Sequence, residues 1–369
     1  MHATARISLR LASGLRTRTS SVRSISQTTG KAANVAPIVG TGPPPQPPSP
    51  AVANAYERIE RRRRQAKLLK EAKDIRSVTA GKSSGGLKNR FWKDVDVKEV
   101  DGRLQVHLDQ RPLRHPNTKE IVHLPKSKPA LAAALALEWD MLESAQQATK
   151  QHLIPLTSLV CRALDIQADD ALNKPETEKI RTSIATTVLR YLDTDSLLCW
   201  APEPGPHDLK NDAGESLRDV QKRTAEEAIT YLTTHVWPGV TIVPVLDGDS
   251  IMPRKQPEGV REIVQGWVMG LSAWDIAGLE RAVLAGKSFV AAARFVTEWT
   301  HSAAKPQTVV SSATRFGVEE AYKATSLEVD WQITQWGEVE DTHDVNREDV
   351  KRQLGSVMLL VSGTGSESA

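Results

Sequence analysis

The chain has 369 residues, 40% of them hydrophobic and 25% charged, with a formal net charge of +3. That profile fits a soluble globular protein with one large core or two smaller ones. Its longest apolar runs, such as Val357 to Val361, fall far short of the roughly 20 residues a membrane helix needs, so no membrane span is expected.

Charge is unevenly spread. No Asp or Glu precedes Glu57, whereas Arg6, Arg10, Arg16, Arg18 and Arg23 lie among Ser, Thr, Leu and Ile. An Arg-rich, acid-free, Ser-rich start is the composition of a mitochondrial transit peptide, so residues 1–26 read as a presequence and the mature protein as a matrix protein. The first 56 residues hold six of the 48 basic residues, leaving 42 against 45 acids. The mature chain is therefore slightly acidic, and its net charge says nothing about nucleic acid.

Residues 27–89 read as a disordered linker. Gly40 to Pro50, GTGPPPQPPSP, is too rich in proline for helix or sheet. The basic stretch 58–76, with Arg61 to Arg64 consecutive and Lys73 near its end, is helix-prone and suits either an anionic surface or a solvated extension. No aromatic residue beyond Tyr56 is interleaved for base stacking, which favours the extension and no stable nucleic-acid partner.

Residues 90–125 form the β region. Val95 and Val97, then Leu104, Val106 and Leu108, alternate with polar residues around Asp101-Gly102, a hairpin signal. A short extended piece follows up to Pro116, and a further strand at Ile121 to Pro125. Residues 126–361 read as a helical domain, with 362–369 a disordered tail, so the fold class is α+β: a small N-terminal antiparallel β unit followed by a larger multihelical domain. Ser127 is a candidate N-cap and Pro129 fits a first turn, starting a helix to Ser144 that carries Glu138-Trp139-Asp140. Trp139 reads as a docking residue between the β unit and the helices. Further helices are expected from Pro175, over Leu217 to Val236, Glu258 to Leu271, Trp274 to Ala285 and Lys287 to Thr300. Asp193 and Asp195 read as caps. Gly286-Lys287-Ser288 is no phosphate loop, because Arg281 stands where the first glycine is required.

The segment Leu327 to Asp344, LEVDWQITQWGEVEDTHD, carries the most chemistry. Val318, Tyr322, Thr325, Val329, Ile333 and Trp336 share one helical face. Leu327 and Trp331 lie opposite, with Glu328 on the flank beside Ala321, Ala324, Gln332 and Gln335. Two apolar stripes mean a sandwiched helix, or one stripe at home and one offered to a partner. Trp336 reads as core and Gly337 as the residue that ends the helix. His343 and Asp344 are the best metal candidates, as in a metal-dependent hydrolase. The further His and Asp such a site needs are missing nearby, so Asp344 reads instead as a cap of the last helix, Val345 to Val361. The spacing supports no catalytic residues, metal or cofactor, and the chain reads as not an enzyme.

WQITQWGEVEDTHD, with Leu327-Glu328 before it, resembles the C-terminal motif of the mitochondrial ATP synthase assembly chaperones that bind the alpha subunit of the catalytic head. RFWKDVDV, DGRLQVHLDQRPLRHP and IVHLP, then EWD, IPLTSLVCRALD, YLDTDSLLCW and KSFVAAA, resemble the same family collinearly from about Arg90 to Leu360. One patch departs: the family's glutamine is followed four residues later by Trp-Asp-Pro, where this chain has Gln221 and then Ala225, Glu226 and Glu227. The resemblance implies a monomeric matrix chaperone, without nucleotide hydrolysis, whose partner is the unassembled ATP synthase alpha subunit. On that reading Trp331 with Leu327 is the anchor, Glu328 the directional charge, and Glu338, Glu340 and Asp341 the rim.

Overall fold

The computed structural model describes residues 62–64, 66–67, 90–248, 251–300 and 315–363, all within one compact unit that runs from Pro45 to Ala369. The presequence, the proline-rich stretch and residues 364–369 lie outside the described residues. In the basic stretch, 62–64 and 66–67 are helical and exposed.

Asp101 and Gly102 both take positive φ, 52° and 72°, as a two-residue type I′ turn requires. β1 (Val95–Val100) therefore folds directly back on β2 (Arg103–Leu108), with Val97 opposite Val106. At the open end the Asp109 carboxylate accepts from the amides of Lys93 and Asp94, both at 3.0 Å. β3 (Arg111–Pro112) and β4 (Leu124–Pro125) each pair antiparallel with β2. Val106, Leu108, Leu113, Val122 and Leu124 are buried, whereas Val97 on the edge strand β1 is 40% exposed. An edge strand has a neighbour on one side only, so the alternation expected there buries one strand better than the other.

Helix α1 (Pro129–Asp140) starts with proline at its first turn, but Lys128, not Ser127, holds the cap position, without a side-chain cap bond. The helix ends four residues before the expected Ser144. α2 (Pro155–Ala171) and α3 (Ile180–Val188) follow. α4 (Leu217–His235) opens on a reciprocal Ser216–Asp219 capping box. Then come α5 (Val260–Gly270), α6 (Ala273–Gly286), α7 (Phe289–Thr300), α8 (Val318–Trp336) and α9 (His343–Val361).

α6 is the hub, packed against α2, α3, α7, α8 and α9. Two glycines permit this. A Cβ on Gly278 would stand 2.5 Å from Val361 Cγ1, and one on Gly286 would stand 2.7 Å from Thr325 Cγ2. Asp195 is fully buried beside the start of α7. It accepts from the amides of Leu197 at 2.9 Å and Val290 at 2.8 Å, and Ser288 Oγ accepts from Ala291 at 3.0 Å. Asp195 thus caps the short turn Ser196–Leu198, as a cap was expected, and also ties it to α7; Lys287, at φ 53°, closes α6 and Ser288 opens α7.

Lys128 is 1% exposed; its ammonium donates to the carbonyls of Leu360 at 2.8 Å and Ser362 at 2.9 Å, over the Trp274 ring. A cation on the last carbonyls of a helix satisfies acceptors that otherwise have no partner and complements the helix dipole. The contact fastens the end of α9 to the start of α1. Trp139 is buried against Trp92, with ring centroids 5.4 Å apart, and its indole N–H donates to Thr157 Oγ1 at 2.9 Å. It thus bridges the segment entering β1 and helix α2.

Candidate partner-binding site

α8 is two helices in character. Ala321, Tyr322, Ala324 and Ser326 are buried in its first half. From residue 327 to residue 349, through the rest of α8, the turn and the start of α9, no residue is buried. The root of this hairpin is held by Lys351, which pairs with Glu319 at 2.8 Å and lies over the Tyr322 ring. Its tip is closed by Gly337, at φ 91°, and Asp341, at φ 60°. His343 and Val339 exchange hydrogen bonds: the Val339 amide donates to His343 Nδ1 and the His343 amide to the Val339 carbonyl, both 3.1 Å. Arg347 on α9 pairs with Glu338.

The tip presents apolar side chains to solvent. Trp336 is 60% exposed, Val345 58% and Val339 56%, and Val329, two turns earlier on α8, is 38% exposed. This corrects the placement of Trp336 in the core. The shared-face argument was sound for Tyr322, but α8 runs beyond the helices that cover its first half, so the same face is only half-covered at Ile333 and open at Trp336. Leu327, expected on the free stripe, packs partly buried against the core, and Trp331 is half-buried. Glu328 is exposed and accepts from Gln332 Nε2 at 3.3 Å. Burial first, then the charges of Asp195 and Glu328, push the Cys199 thiol up.

Around the apolar tip the expected rim is acidic. Asp341 is exposed, Glu338 and Glu340 are half-buried, and Arg62 approaches Glu340 at 3.9 Å. Asp344 is not the cap of α9. The helix starts at His343 with Thr342 in the cap position and no side-chain cap bond. Asp344 lies inside the first turn, where its Oδ1 accepts from the Val345 amide at 2.9 Å. His343 is likewise held locally, and among the described residues no group of three or more His, Cys, Asp or Glu side chains could hold a metal. No helix there is long and apolar enough to cross a membrane. Val339 and Val345 escape a periodicity reading because one sits in a loop between two glutamates and the other one turn into a polar helix; their isolation in an acidic run was the available signal.

Residues 89–233 match the family model described as ATP12 chaperone protein. The chain is 32% identical over 278 residues to the mitochondrial protein atp12 of Schizosaccharomyces pombe, covering 73% of this chain and 81% of the relative. It is 31% identical over 281 residues to mitochondrial ATP12 of Saccharomyces cerevisiae, covering 72% and 81%. Among solved structures, Atp12 from Paracoccus denitrificans overlays with a TM-score of 0.53 at 19% identity, over 75% of this chain and 98% of that one. The Atu1473 protein of Agrobacterium tumefaciens gives 0.52 at 22% identity, over 74% and 85%. The two solved structures share the fold.

Proposed function

This chain belongs to the ATP12 chaperone family, and on that premise we propose that it is a mitochondrial matrix chaperone of ATP synthase assembly that holds the unassembled alpha subunit. It shields the alpha face that later meets beta, and releases it when beta arrives. The observation that carries this reading is the hairpin tip, where a tryptophan and two valines stand exposed together on an acidic rim. A subunit destined for a ring must display an apolar interface before its neighbour arrives, and such a face aggregates when left bare. A partner that covers it needs a few aromatic anchors for energy and rim charges for orientation.

Trp336 is the anchor in this arrangement, with Trp331 behind it on α8. Glu328 supplies the directional charge, and Glu338, Glu340 and Asp341 the rim. Leu327 is engaged by the core and drops out of the anchor. Binding is non-catalytic and needs no cofactor.

The test is co-purification of the tagged protein from mitochondrial matrix. Alpha subunit without beta should accompany the wild type, and Trp336→Ala or Glu328→Lys should lose it while keeping the wild-type melting temperature. Recovery of no synthase subunit with the wild type would sink the reading.

A further inference from the structure

Away from the hairpin, two cavities of about 700 and 540 Å³ open side by side where the β unit meets the helices. Arg114, Trp139 and Ala148 line both, so they form one groove with a shared central wall. Its charge is lopsided. Arg111, Arg114, Arg162 and Arg281 line it against two carboxylates, Asp165 and Glu280. Glu280 is already engaged. Glu280 takes a two-pronged pair from Arg162 at 2.9 and 2.8 Å. Asp165 lies 3.2 Å from His115 Nε2. His115 Nδ1 accepts from the amides of Asn117 and Thr118, and its Nε2 has no hydrogen-bond partner among the described residues.

Arg281 and Arg114 are different. Arg281 is half-buried in the wall without a hydrogen bond or ion pair among the described residues. Arg114 commits one nitrogen to the Lys119 carbonyl at 2.9 Å and has no carboxylate partner there. A planar guanidinium left without an anion is a ready receptor for a carboxylate, which it can hold through two parallel bonds. Each cavity also offers an exposed apolar contact: Phe91, 60% exposed, in one and Leu284, 44% exposed, in the other. The one thiol in the wall, Cys161, is pushed up to about 12 by burial and is no nucleophile.

We infer that this groove binds an extended acidic segment of the client, its carboxylates on Arg114 and Arg281 and its flanking apolar side chains on Phe91 and Leu284. Two cavities in line suit a stretch of chain rather than one small ligand. A phosphate group has no cradle here. The helix N-terminus on the wall belongs to α2, and its Leu156 and Thr157 amides already donate to the Glu138 carboxylate at 2.8 and 2.9 Å. The partner's identity as client rests on the chaperone reading above; the groove chemistry does not.

The probe is a short fluorescent peptide of alternating leucine and glutamate, titrated into the full-length protein and followed by anisotropy. Saturable binding is expected, weakened about tenfold or more by Arg281→Glu and by Arg114→Glu, and weakened less by Arg281→Gln. A peptide with lysine in place of glutamate should not bind. No binding, equal binding by the charge-reversed variants with wild-type melting temperature, or full displacement by millimolar inorganic phosphate would each overturn the inference. Failure of the peptide leaves alpha capture by the hairpin untouched, and loss of alpha capture with peptide binding intact would fault the chaperone reading instead.

Discussion

Helices α6 and α8 each carry tryptophan and alternate apolar with polar residues, yet they do opposite work. Ten of the fourteen residues of α6 are buried, Trp274 among them at 2% exposure. Only four of the nineteen residues of α8 are buried, all in its first half, and its last residue is Trp336 at 60% exposure. The difference lies less in the residues than in what surrounds them. α6 has five helical neighbours and two glycines that let them approach, whereas α8 outruns its neighbours and ends in solvent. A buried tryptophan holds the fold, and an exposed one at a helix tip is available to something else.

The comparison breaks if the two tryptophans cost the same. Trp274→Ala should destabilise the protein by about 3–5 kcal/mol, the range for emptying a large aromatic site in a close-packed interior, read as a shift in denaturant midpoint. The next largest effect concerns Asp195, the carboxylate that joins the Ser196–Leu198 turn to α7. Burial raises it from 3.8 to about 6 against the pull of its hydrogen bonds. Its protonated form is therefore favoured in the folded state, so its contribution to stability is complete below its ordinary value and is lost as pH rises through about 6. Relative to Asp195→Asn, the unfolding free energy of the wild type should fall across that window by about 3 kcal/mol. An unchanged difference between pH 4 and 7 would refute the assignment.

A third test sharpens the contrast at the other end of the hairpin. Lys128→Met keeps the length of the side chain but leaves two carbonyls at the end of α9 without their donor, and about 1–3 kcal/mol should be lost. Hydrogen exchange at the end of α9 should speed up in the variant, whereas the N-terminal part of α9, which has little burial, should exchange fast in both proteins. The smallest effect on stability is expected at the tip: Trp336→Ala should change the midpoint by no more than about 0.5 kcal/mol. A larger loss would mean the tip is structural after all.

Much of the fold was legible because it is written locally. Asp101-Gly102 names its own hairpin, Pro129 opens α1, and Ser216 with Asp219 opens α4. Periodicity correctly put Tyr322 inside, and it failed at Trp336 for a definite reason. Spacing tells which residues share a face, but whether a neighbour covers that face depends on where other helices end. Asp344 looked like a cap because it precedes Val345, and the chain simply started the helix two residues earlier. Lys128 gave no signal, since its acceptors at Leu360 and Ser362 are distant in sequence. The groove was hidden for the same reason: its walls come from the β unit, α2 and α6. Of the candidate site, the exposure of Glu328 and Asp341 was readable from residue type, whereas the exposure of Trp336 and the partial burial of Leu327 were not.

The most direct measurement is light scattering of purified ATP synthase alpha subunit diluted from denaturant, with the wild-type protein or with the double variant Trp336→Ser, Val339→Ser. The account predicts that the wild type suppresses scattering at near-equimolar ratio and that the double variant, folded and equally stable, does not. Equal suppression by both proteins would show that the hairpin tip is not what holds the client.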